Sequence, residues 1–367
     1  MILVAASWLL SLAGPQPASS DAAANLVLVR FQVSREARYV DDLKPSDIEI
    51  LEDGQPQKVV LFEGGESTPH TVPADLVVLL DLSSAVLGPD RYGSGPDGFG
   101  FAALRDRLLV AARAVRLSVY VFDSRLMRLT PPTRDPVMLR GAFDAIQTAM
   151  NEARPSSGKP FRGDDQESDP QPPQPTARLR GEEVTLAESA RKDNLALTTR
   201  VYEALTATIR DASAGPAAAS RTMLLVSDGY SPTERKTEEV AAQAVQYDVP
   251  IYPVVTGYWY HGDLFPGPPG TKAERRAFQL WEQAMSMKLE LISLGRKTGG
   301  RAWVPHTLDV ESAGQFLGEI MARIRVEYLA GYYTEPSTGK PRERRVEVRL
   351  RSKDTGRLEG GTRVMVR

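Results

Sequence analysis

Hydrophobic positions follow two patterns along the chain, and each pattern predicts a different kind of β-strand. From Leu76 to Leu80 apolar residues follow one another without interruption, which is typical of a strand buried on both faces of a parallel sheet. Further, mainly apolar runs cover residues 117–122, 223–226 and 249–255. From Arg344 to Arg351 apolar and charged residues alternate instead, which indicates an antiparallel strand with one face in water.

Amphipathic segments lie between the apolar runs and predict helices at residues 104–115, 137–150, 199–211, 238–247, 272–297 and 310–325. The alternation of strands and helices predicts an α/β fold, a doubly wound, mainly parallel sheet flanked by helices, with right-handed crossovers. Strands near both ends of the chain are expected to pair into one small antiparallel β-domain. In the first of these groups, Asp53-Gly54 predicts a hairpin with a longer loop.

These patterns divide the chain into four parts. Residues 1–24 contain an apolar run too short to span a bilayer, followed by a Gly-, Pro-, Ser- and Ala-rich stretch, which is typical of a secretory signal peptide. We expect the first β-strands in residues 25–68, the α/β domain in 74–325 and the strands that pair with the first group in 326–367.

Two insertions interrupt the predicted α/β domain. Residues 154–183 are rich in Pro, Gln, Asp and Gly without an apolar period, which predicts a disordered loop. Residues 257–290 begin with an aromatic and Pro/Gly-rich sequence that includes Tyr258-Trp259-Tyr260. These three rings either pack the insertion onto the domain or form a partner-binding patch.

Composition excludes several classes of function. The chain has 367 residues and a net charge of -2, so nothing in its charge favours nucleic acid or an anionic membrane as a partner. It has no cysteine, which excludes disulfides, thiolate nucleophiles and zinc–thiolate sites. No segment after the leader is long and apolar enough to span a membrane. Together with the predicted signal peptide, this predicts an exported protein that is periplasmic, or else extracellular or envelope-associated.

Polar clusters follow the predicted core strands at three places. Residues 81–85 read Asp-Leu-Ser-Ser-Ala, residues 198–199 are Thr-Thr at a helix start, and residues 227–229 read Ser-Asp-Gly. Ligands of open parallel sheets bind at the carboxyl ends of the strands. Carboxylate and hydroxyl oxygens without His or Cys suit a hard cation such as Mg²⁺. Alternatively, these side chains satisfy loop amides and cap helices.

In order and spacing, the clusters resemble the metal-ion-dependent adhesion site of von Willebrand factor A (VWA) domains. That site combines Asp-x-Ser-x-Ser after the first strand, a Thr from a second loop and an Asp from a third. Asp81 and Ser83 match the first motif. Thr199, in Thr-Arg-Val-Tyr-Glu-Ala-Leu, matches the second, and Asp228, in Leu-Leu-Val-Ser-Asp-Gly, matches the third.

Sequences outside the site also resemble this family, so the resemblance extends over nearly all of the chain after the leader. Residues 47–54 (Asp-Ile-Glu-Ile-Leu-Glu-Asp-Gly), 298–302 (Thr-Gly-Gly-Arg-Ala) and 328–333 (Tyr-Leu-Ala-Gly-Tyr-Tyr) resemble bacterial, acidobacterial-type VWA-related exported proteins. The resemblance implies a protein-binding module and not an enzyme. It also implies that Asp81, Ser83, Thr199 and Asp228 hold Mg²⁺, or Mn²⁺ or Ca²⁺, and that an acidic side chain of a protein partner completes the coordination.

One position departs from the family pattern. Ala85 stands where the family has its second serine ligand, and a methyl group cannot coordinate a cation, so we expect weakened metal binding. A metal-independent scaffold with a vestigial site is therefore the first alternative. The second is a Mg²⁺-dependent hydrolase with Asp81 as nucleophile. It is disfavoured because no second aspartate stands at Leu82 or Ser83 and no general base or lysine is recognisable nearby.

Two further features of the sequence are assigned no chemistry. Residues 93–98 match the pattern G-x-G-x-x-G, but they lie well beyond the strand end and include a proline, which favours a loop over a dinucleotide site. His70, His261 and His306 lack the spacing of metal ligands or of a catalytic triad.

Overall fold

The computed structural model describes most of the chain after the predicted leader. The described residues are 26–36, 38–65, 73–82, 100–153, 175–186, 200–214, 220–229, 236–256, 270–305, 308–334, 343–360 and 362–366. The predicted signal peptide, the histidines, the glycine-rich stretch at 93–98 and the aromatic run at 258–260 lie outside them, so those predictions stay predictions.

The strands, in chain order, are β1 (Leu26–Arg35), β2 (Arg38–Tyr39), β3 (Ile48–Glu52), β4 (Gln55–Gln57), β5 (Leu61–Glu63), β6 (Ala74–Asp81), β7 (Arg116–Phe122), β8 (Leu126–Thr133), β9 (Glu182–Val184), β10 (Ser220–Ser227), β11 (Ile251–Val255), β12 (Tyr328–Tyr333), β13 (Glu343–Leu350), β14 (Arg357–Gly360) and β15 (Thr362–Val366). The α-helices are α1 (Phe101–Ala111), α2 (Pro136–Ala153), α3 (Val201–Ser213), α4 (Thr237–Gln246), α5 (Lys272–Lys297) and α6 (Val310–Val326).

A six-stranded sheet forms the centre of the fold, and its order among the described residues is β11-β10-β6-β7-β8-β9. Strands β11, β10, β6 and β7 are parallel, while β8 and β9 add to the β7 side in antiparallel fashion. Each parallel strand is one of the mainly apolar runs of the sequence, because helices cover both of its faces. The predicted fold class, a doubly wound, mainly parallel α/β sheet flanked by helices, is confirmed.

Two helical layers bury the two faces of this sheet. On one face, α1, α2 and α6 pack against alternate residues of β6 such as Val78 and Leu80. On the other face, α3, α4 and α5 pack against Val77 and Leu79. Because successive strand residues point to opposite faces, one uninterrupted apolar run supplies both cores.

The apolar pattern does not predict strand β8, whose last residues include Pro131 and Pro132. Proline has no N–H to contribute to a ladder and usually marks the end of a strand. In the structure the β7–β8 pairing shifts register near these prolines, and the Val119 N–H donates to Thr130 Oγ1 (3.1 Å). The Thr130 hydroxyl oxygen thus accepts the hydrogen bond that a backbone carbonyl would accept in a regular pairing.

The expectation of a disordered loop over residues 154–183 is wrong for the last part of that segment. Residues Pro175–Arg178 form a short 3₁₀ turn, and β9 (Glu182–Val184) pairs with the open edge of β8. Both pieces are held by tertiary contacts, which local composition does not reveal. The part at 154–174 lies outside the described residues.

Strands from both ends of the chain form two antiparallel sheets that pack face to face. One sheet has β1 between β12 and β14, with β5 beyond β12, and the other has the order β15-β13-β3-β4. Their facing residues, among them Phe31, Ile50, Tyr328 and Val348, form a separate hydrophobic core. We call this unit the sandwich. It is the antiparallel part of the predicted fold class.

The turn at Asp53-Gly54 differs from the predicted longer loop. It is a two-residue hairpin turn in which Glu52 pairs with Gln55. Asp53 has a φ of 50° and Gly54 a φ of 81°, the left-handed conformations that such tight turns require. Asp53 Oδ1 also accepts a hydrogen bond from the Arg345 N–H (2.8 Å), which ties the turn to β13.

The α/β part of the chain is inserted between strands β5 and β12 of the sandwich. These strands are antiparallel neighbours, with Glu63 opposite Leu329, so the entry and exit of the insertion lie side by side. Gly64, with a φ of 109°, follows β5 at this point. A Cβ there would lie 2.2 Å from the Glu327 carbonyl oxygen, so the two chain segments approach as closely as only glycine permits.

A buried arginine of β1 joins the sandwich to the amino edge of the central sheet. Arg30 donates from Nε to Asp248 Oδ2 (2.7 Å) and from Nη1 to Ser220 Oγ (2.6 Å) and the Arg221 carbonyl (3.1 Å). Its side chain also forms an ion pair with Glu327 (3.5 Å). Although burial lowers the pKa of Arg30, the carboxylates of Asp248 and Glu327 raise it above its ordinary value, so the guanidinium stays charged.

Two further contacts strengthen this amino edge. Gln32 of β1 donates to the Arg323 carbonyl near the end of α6 (3.0 Å). Arg116 makes two hydrogen bonds to the buried carboxylate of Asp75 (2.6 and 2.9 Å), which joins the starts of β6 and β7. None of the helices in the described part of the chain combines the length and the apolar character that crossing a membrane requires.

Candidate functional site

The carboxyl edge of the central sheet brings together two of the residues predicted to hold a cation. Asp81 is the last residue of β6, and Asp228 directly follows β10. These strands are parallel neighbours with Leu80 opposite Val226, so the two aspartates leave the sheet at the same edge. Both are buried, with exposed fractions of 0% and 5%.

This part of the edge is also the point where the strand order reverses. The chain places β7 on one side of β6 and then β10 and β11 on the other. Ligands of doubly wound sheets bind in the crevice at such a switch point. The two aspartates therefore stand where this fold class offers a binding site.

Ser227, the last residue of β10, connects the two loops. Its hydroxyl donates to Asp81 Oδ2 (2.6 Å) and accepts from the Gly229 N–H (2.9 Å). Its carbonyl oxygen accepts from the Thr256 N–H at the end of β11 (3.0 Å). One fully buried serine thus holds the carboxylate of one loop and the turn of the next.

Helix α5 packs behind the turn that contains Asp228. Gly229 has a φ of 76°, and a Cβ at this position would lie 2.9 Å from Leu291 Cδ1 and 3.5 Å from the Met287 carbonyl oxygen. Glycine is therefore favoured at position 229, since it combines this conformation with this proximity to the helix at little cost.

Helix α3 follows the second predicted loop, the one that contains Thr199. The next strand after α3 is β10, which begins at the amino edge, and the Tyr120 hydroxyl in the middle of β7 donates to Asp211 near the end of α3 (2.8 Å). The first turn of α3 therefore lies towards the carboxyl edge. Arg200 precedes this turn and is buried, with an exposed fraction of 6%. Its Nε has no hydrogen-bond partner among the described residues.

Of the four predicted ligands, the structure describes two. Ser83 and Thr199 lie outside the described residues, as does Ala85. Leu82, which precedes Ser83, is fully buried, and its N–H donates to the Phe122 carbonyl (2.8 Å). The segment up to Leu82 therefore continues the β6 pairing with β7.

A hydrogen-bonded group joins the helices around the candidate site. The Thr237 hydroxyl at the start of α4 donates to Glu290 Oε2 of α5 (2.6 Å) and lies 3.3 Å from the Tyr202 hydroxyl of α3. Thr237 and Tyr202 are buried. This contact fixes the first turns of α3 and α4 to the same part of α5 that packs behind Gly229.

Asp123 has a structural role at this edge that sequence reasoning missed. It follows β7, and its carboxylate accepts hydrogen bonds from the Thr176 N–H (3.1 Å), the Thr176 hydroxyl (2.5 Å) and the Arg125 N–H (3.1 Å). The buried carboxylate thereby anchors the 3₁₀ turn at Pro175–Arg178. An aspartate directly after an apolar strand was visible in the sequence, but its partner lies 53 residues away along the chain.

The chemistry of the described donors fits a hard divalent cation. Two buried carboxylates, Asp81 and Asp228, lie at the switch point, and Ser83 and Thr199 would add hydroxyl oxygens. Within the described part of the chain, no cluster of three or more His, Cys, Asp or Glu side chains could hold a metal by itself. Coordination here therefore requires the hydroxyl ligands or water in addition to the aspartates.

No family model matches the chain, and no curated protein matches it. Solved structures with a similar fold include an aerotolerance-related membrane protein from Bacteroides fragilis, with 12% identity over 68% of this chain and 99% of that chain and a TM-score of 0.40. The ArnB paralog VWA2 from Sulfolobus acidocaldarius has 10% identity over 93% of this chain and 75% of that chain, with a TM-score of 0.33.

A third solved structure is proximal thread matrix protein 1 from the mussel byssus, with a zinc-occupied MIDAS motif. It has 11% identity over 72% of this chain and 50% of that chain, with a TM-score of 0.32. Likeness at these values is loose and concerns the fold alone. The functional argument therefore rests on the residues of this chain.

Proposed function

We propose that the chain is a protein-binding module and not an enzyme, with its binding site at the carboxyl edge of the central sheet. In this proposal Asp81, Ser83, Thr199 and Asp228 hold a divalent cation, Mg²⁺ or else Mn²⁺ or Ca²⁺, directly or through water. Ala85 weakens the binding of the cation because it removes one hydroxyl ligand. A carboxylate of the protein partner fills an open coordination position.

The observation that supports the proposal most is the hydrogen bond between Ser227 and Asp81 (2.6 Å). It joins the ends of β6 and β10 at the switch point and keeps the two aspartates on one side of the fold. Hard oxygen donors at such a place suit a cation of this class.

A calorimetric titration of metal-free protein with Mg²⁺ and with Mn²⁺ tests the proposal. We expect weak binding by the wild type, tighter binding by Ala85→Ser and no binding by Asp81→Asn. Asp144→Asn, the same chemical change at an exposed position of α2, is the matched control and should bind as the wild type does. Absence of heat and of a thermal shift at millimolar metal, in wild type and Ala85→Ser alike, contradicts the metal-dependent version.

A metal-independent scaffold is the second candidate, and two observations favour it. Ala85 replaces a ligand, and Arg200 places a buried positive charge one residue after Thr199. A cation close to this charge would be repelled. If Ala85→Ser changes neither metal affinity nor partner affinity, the ion has no role and the partner binds elsewhere on the surface.

A further inference from the structure

We propose that Ser227 is the positioning residue of the candidate site: it orients the Asp81 carboxylate and fixes the spacing between the loops that contain Asp81 and Asp228. The metal-binding consequence rests on the function proposed above. The orientation of the two loops does not, because it follows from contacts present without any ion.

The direction of the hydrogen bonds at Ser227 is fixed by chemistry. A serine hydroxyl has one proton, and the Gly229 N–H can only donate, so Ser227 Oγ must accept there (2.9 Å). The single proton then goes to Asp81 Oδ2 (2.6 Å). The result is a directed chain of hydrogen bonds from Gly229 through Ser227 to Asp81.

Burial makes this chain difficult to replace. Ser227 and Asp81 both have an exposed fraction of 0%. If the hydroxyl is removed, the Gly229 N–H loses this acceptor and Asp81 Oδ2 loses this donor in a place that solvent does not reach. Losing one partner of a buried hydrogen bond costs more than an average hydrogen bond contributes.

The Ser227 backbone is fixed independently of its hydroxyl, so the side chain acts from a rigid base. Ser227 pairs with Val255 of β11, and its carbonyl accepts from the Thr256 N–H (3.0 Å). On the other side, Leu291 of α5 blocks movement of Gly229 towards the helix. Asp228 lies between these two fixed points, and the Ser227 hydroxyl links this fixed turn to the Asp81 carboxylate, so the spacing between the two loops depends on the hydroxyl.

The chain offers a matched control for this role. Ser118 of β7 is also buried in the central sheet, with an exposed fraction of 1%, but its hydroxyl has no hydrogen-bond partner in the part of the chain that the structure describes. Ser118→Ala therefore makes the same chemical change in the same kind of surroundings without breaking a hydrogen bond. Ser227→Thr keeps the hydroxyl and serves as the conservative variant.

Hydrogen exchange in metal-free protein gives the first readout. Ser227→Ala should speed exchange of the Gly229 amide at least tenfold, while Ser118→Ala should leave it unchanged and Ser227→Thr should restore slow exchange. Amides in the middle of β10 report whether each variant is folded. Unchanged exchange at Gly229 in a folded Ser227→Ala protein overturns the proposal.

Titration with Mn²⁺ gives the second readout. We expect Ser227→Ala to weaken Mn²⁺ binding at least tenfold and Ser227→Thr to retain most of it, with Ser118→Ala equal to the wild type. If the wild type binds no Mn²⁺, the metal-dependent function fails while the exchange result still decides the role of Ser227. If Ser227→Ala binds Mn²⁺ as the wild type does, the positioning role fails and the proposed function stands.

Discussion

Buried charged side chains have different kinds of partner at the two edges of the central sheet. At the amino edge, ion pairs join buried groups of opposite sign: Arg30 contacts Asp248 and Glu327, and Asp75 contacts Arg116. At the carboxyl edge, neutral hydroxyl and amide groups donate to the buried carboxylates, as Ser227 does to Asp81.

Asp123, like Asp81, accepts hydrogen bonds from neutral donors, and more of its partners are described. Its carboxylate accepts from Thr176, from the Arg125 N–H and from the Ser124 hydroxyl (3.3 Å), all of which are uncharged donors. Neutral donors orient a carboxylate without cancelling its charge. The comparison teaches that the described contacts of the amino edge join elements through ion pairs, while those of the carboxyl edge orient Asp81 and Asp123 through neutral donors.

The largest expected effect comes from breaking the amino edge at Arg30. Arg30→Met should lower the free energy of unfolding by about 3 kcal/mol, because it leaves buried acceptors and the carboxylate of Glu327 without their cation. Urea denaturation measures this loss.

Arg178→Met is the control, since the ion pair of Arg178 with Glu152 is half exposed on both sides. It should change the free energy of unfolding by less than about 0.5 kcal/mol. Equal effects of the two variants would show that the sandwich is not held through Arg30.

A smaller effect is expected at the carboxyl edge from Gly229→Ala. The substitution forces a side chain into a φ of 76° and against Leu291, so the free energy of unfolding should fall by about 1–2 kcal/mol. Thermal and urea denaturation measure the change.

Gly318→Ala is the matched control with the opposite sign. Gly318 lies inside helix α6 with nothing within 4 Å of a new Cβ. Alanine should therefore stabilise the protein by about 0.5–1 kcal/mol. A stabilising effect of Gly229→Ala would show that the turn is free to move and that α5 does not support it.

The smallest expected effect is a pH dependence within the sandwich. Burial raises the pKa of Glu52. Hydrogen bonds from Arg344 and Thr334 lower this pKa by more than burial raises it, so the net shift is downward. The stabilising contribution is therefore complete above the ordinary pKa of 4.5 and is lost as the pH falls below that value.

Unfolding experiments between pH 6 and pH 3, bounds chosen to lie about 1.5 units either side of that pKa, test this expectation. The free energy of unfolding of the wild type should fall towards the acid end, and Glu52→Gln should flatten the fall. A variant as pH-dependent as the wild type would place the acid sensitivity elsewhere, for example among the carboxylates of the carboxyl edge.

The parallel strands were predictable because both of their faces are buried, which leaves a direct signature in the sequence. The runs that became β6, β7, β10 and β11 needed no tertiary information. By contrast, β8 was hidden by Pro131 and Pro132, and β9 has only three residues and two glutamates. Such added antiparallel strands form because a neighbouring strand offers unpaired groups, and local sequence does not report this.

The candidate site was predictable to a similar degree. Asp81 and Asp228 could be placed because strand ends in a parallel sheet share one edge, and the structure brings them to adjacent strands. The role of Ser227 was not predictable, since a serine before Asp-Gly can equally point to solvent. The anchor between Asp123 and Thr176 joins residues that are distant in sequence, so no local motif marks it.

The insertion of the central sheet between β5 and β12 has a mechanical consequence. Both described ends of the chain, in β1 and β15, belong to the sandwich, and β5 and β12 are joined by hydrogen bonds where the insertion begins and ends. Tension applied at β1 and β15 is therefore carried by the sandwich. The central sheet, with its carboxyl edge, is not loaded while β5 and β12 stay paired. The candidate site would then keep its geometry until the β5–β12 pair separates.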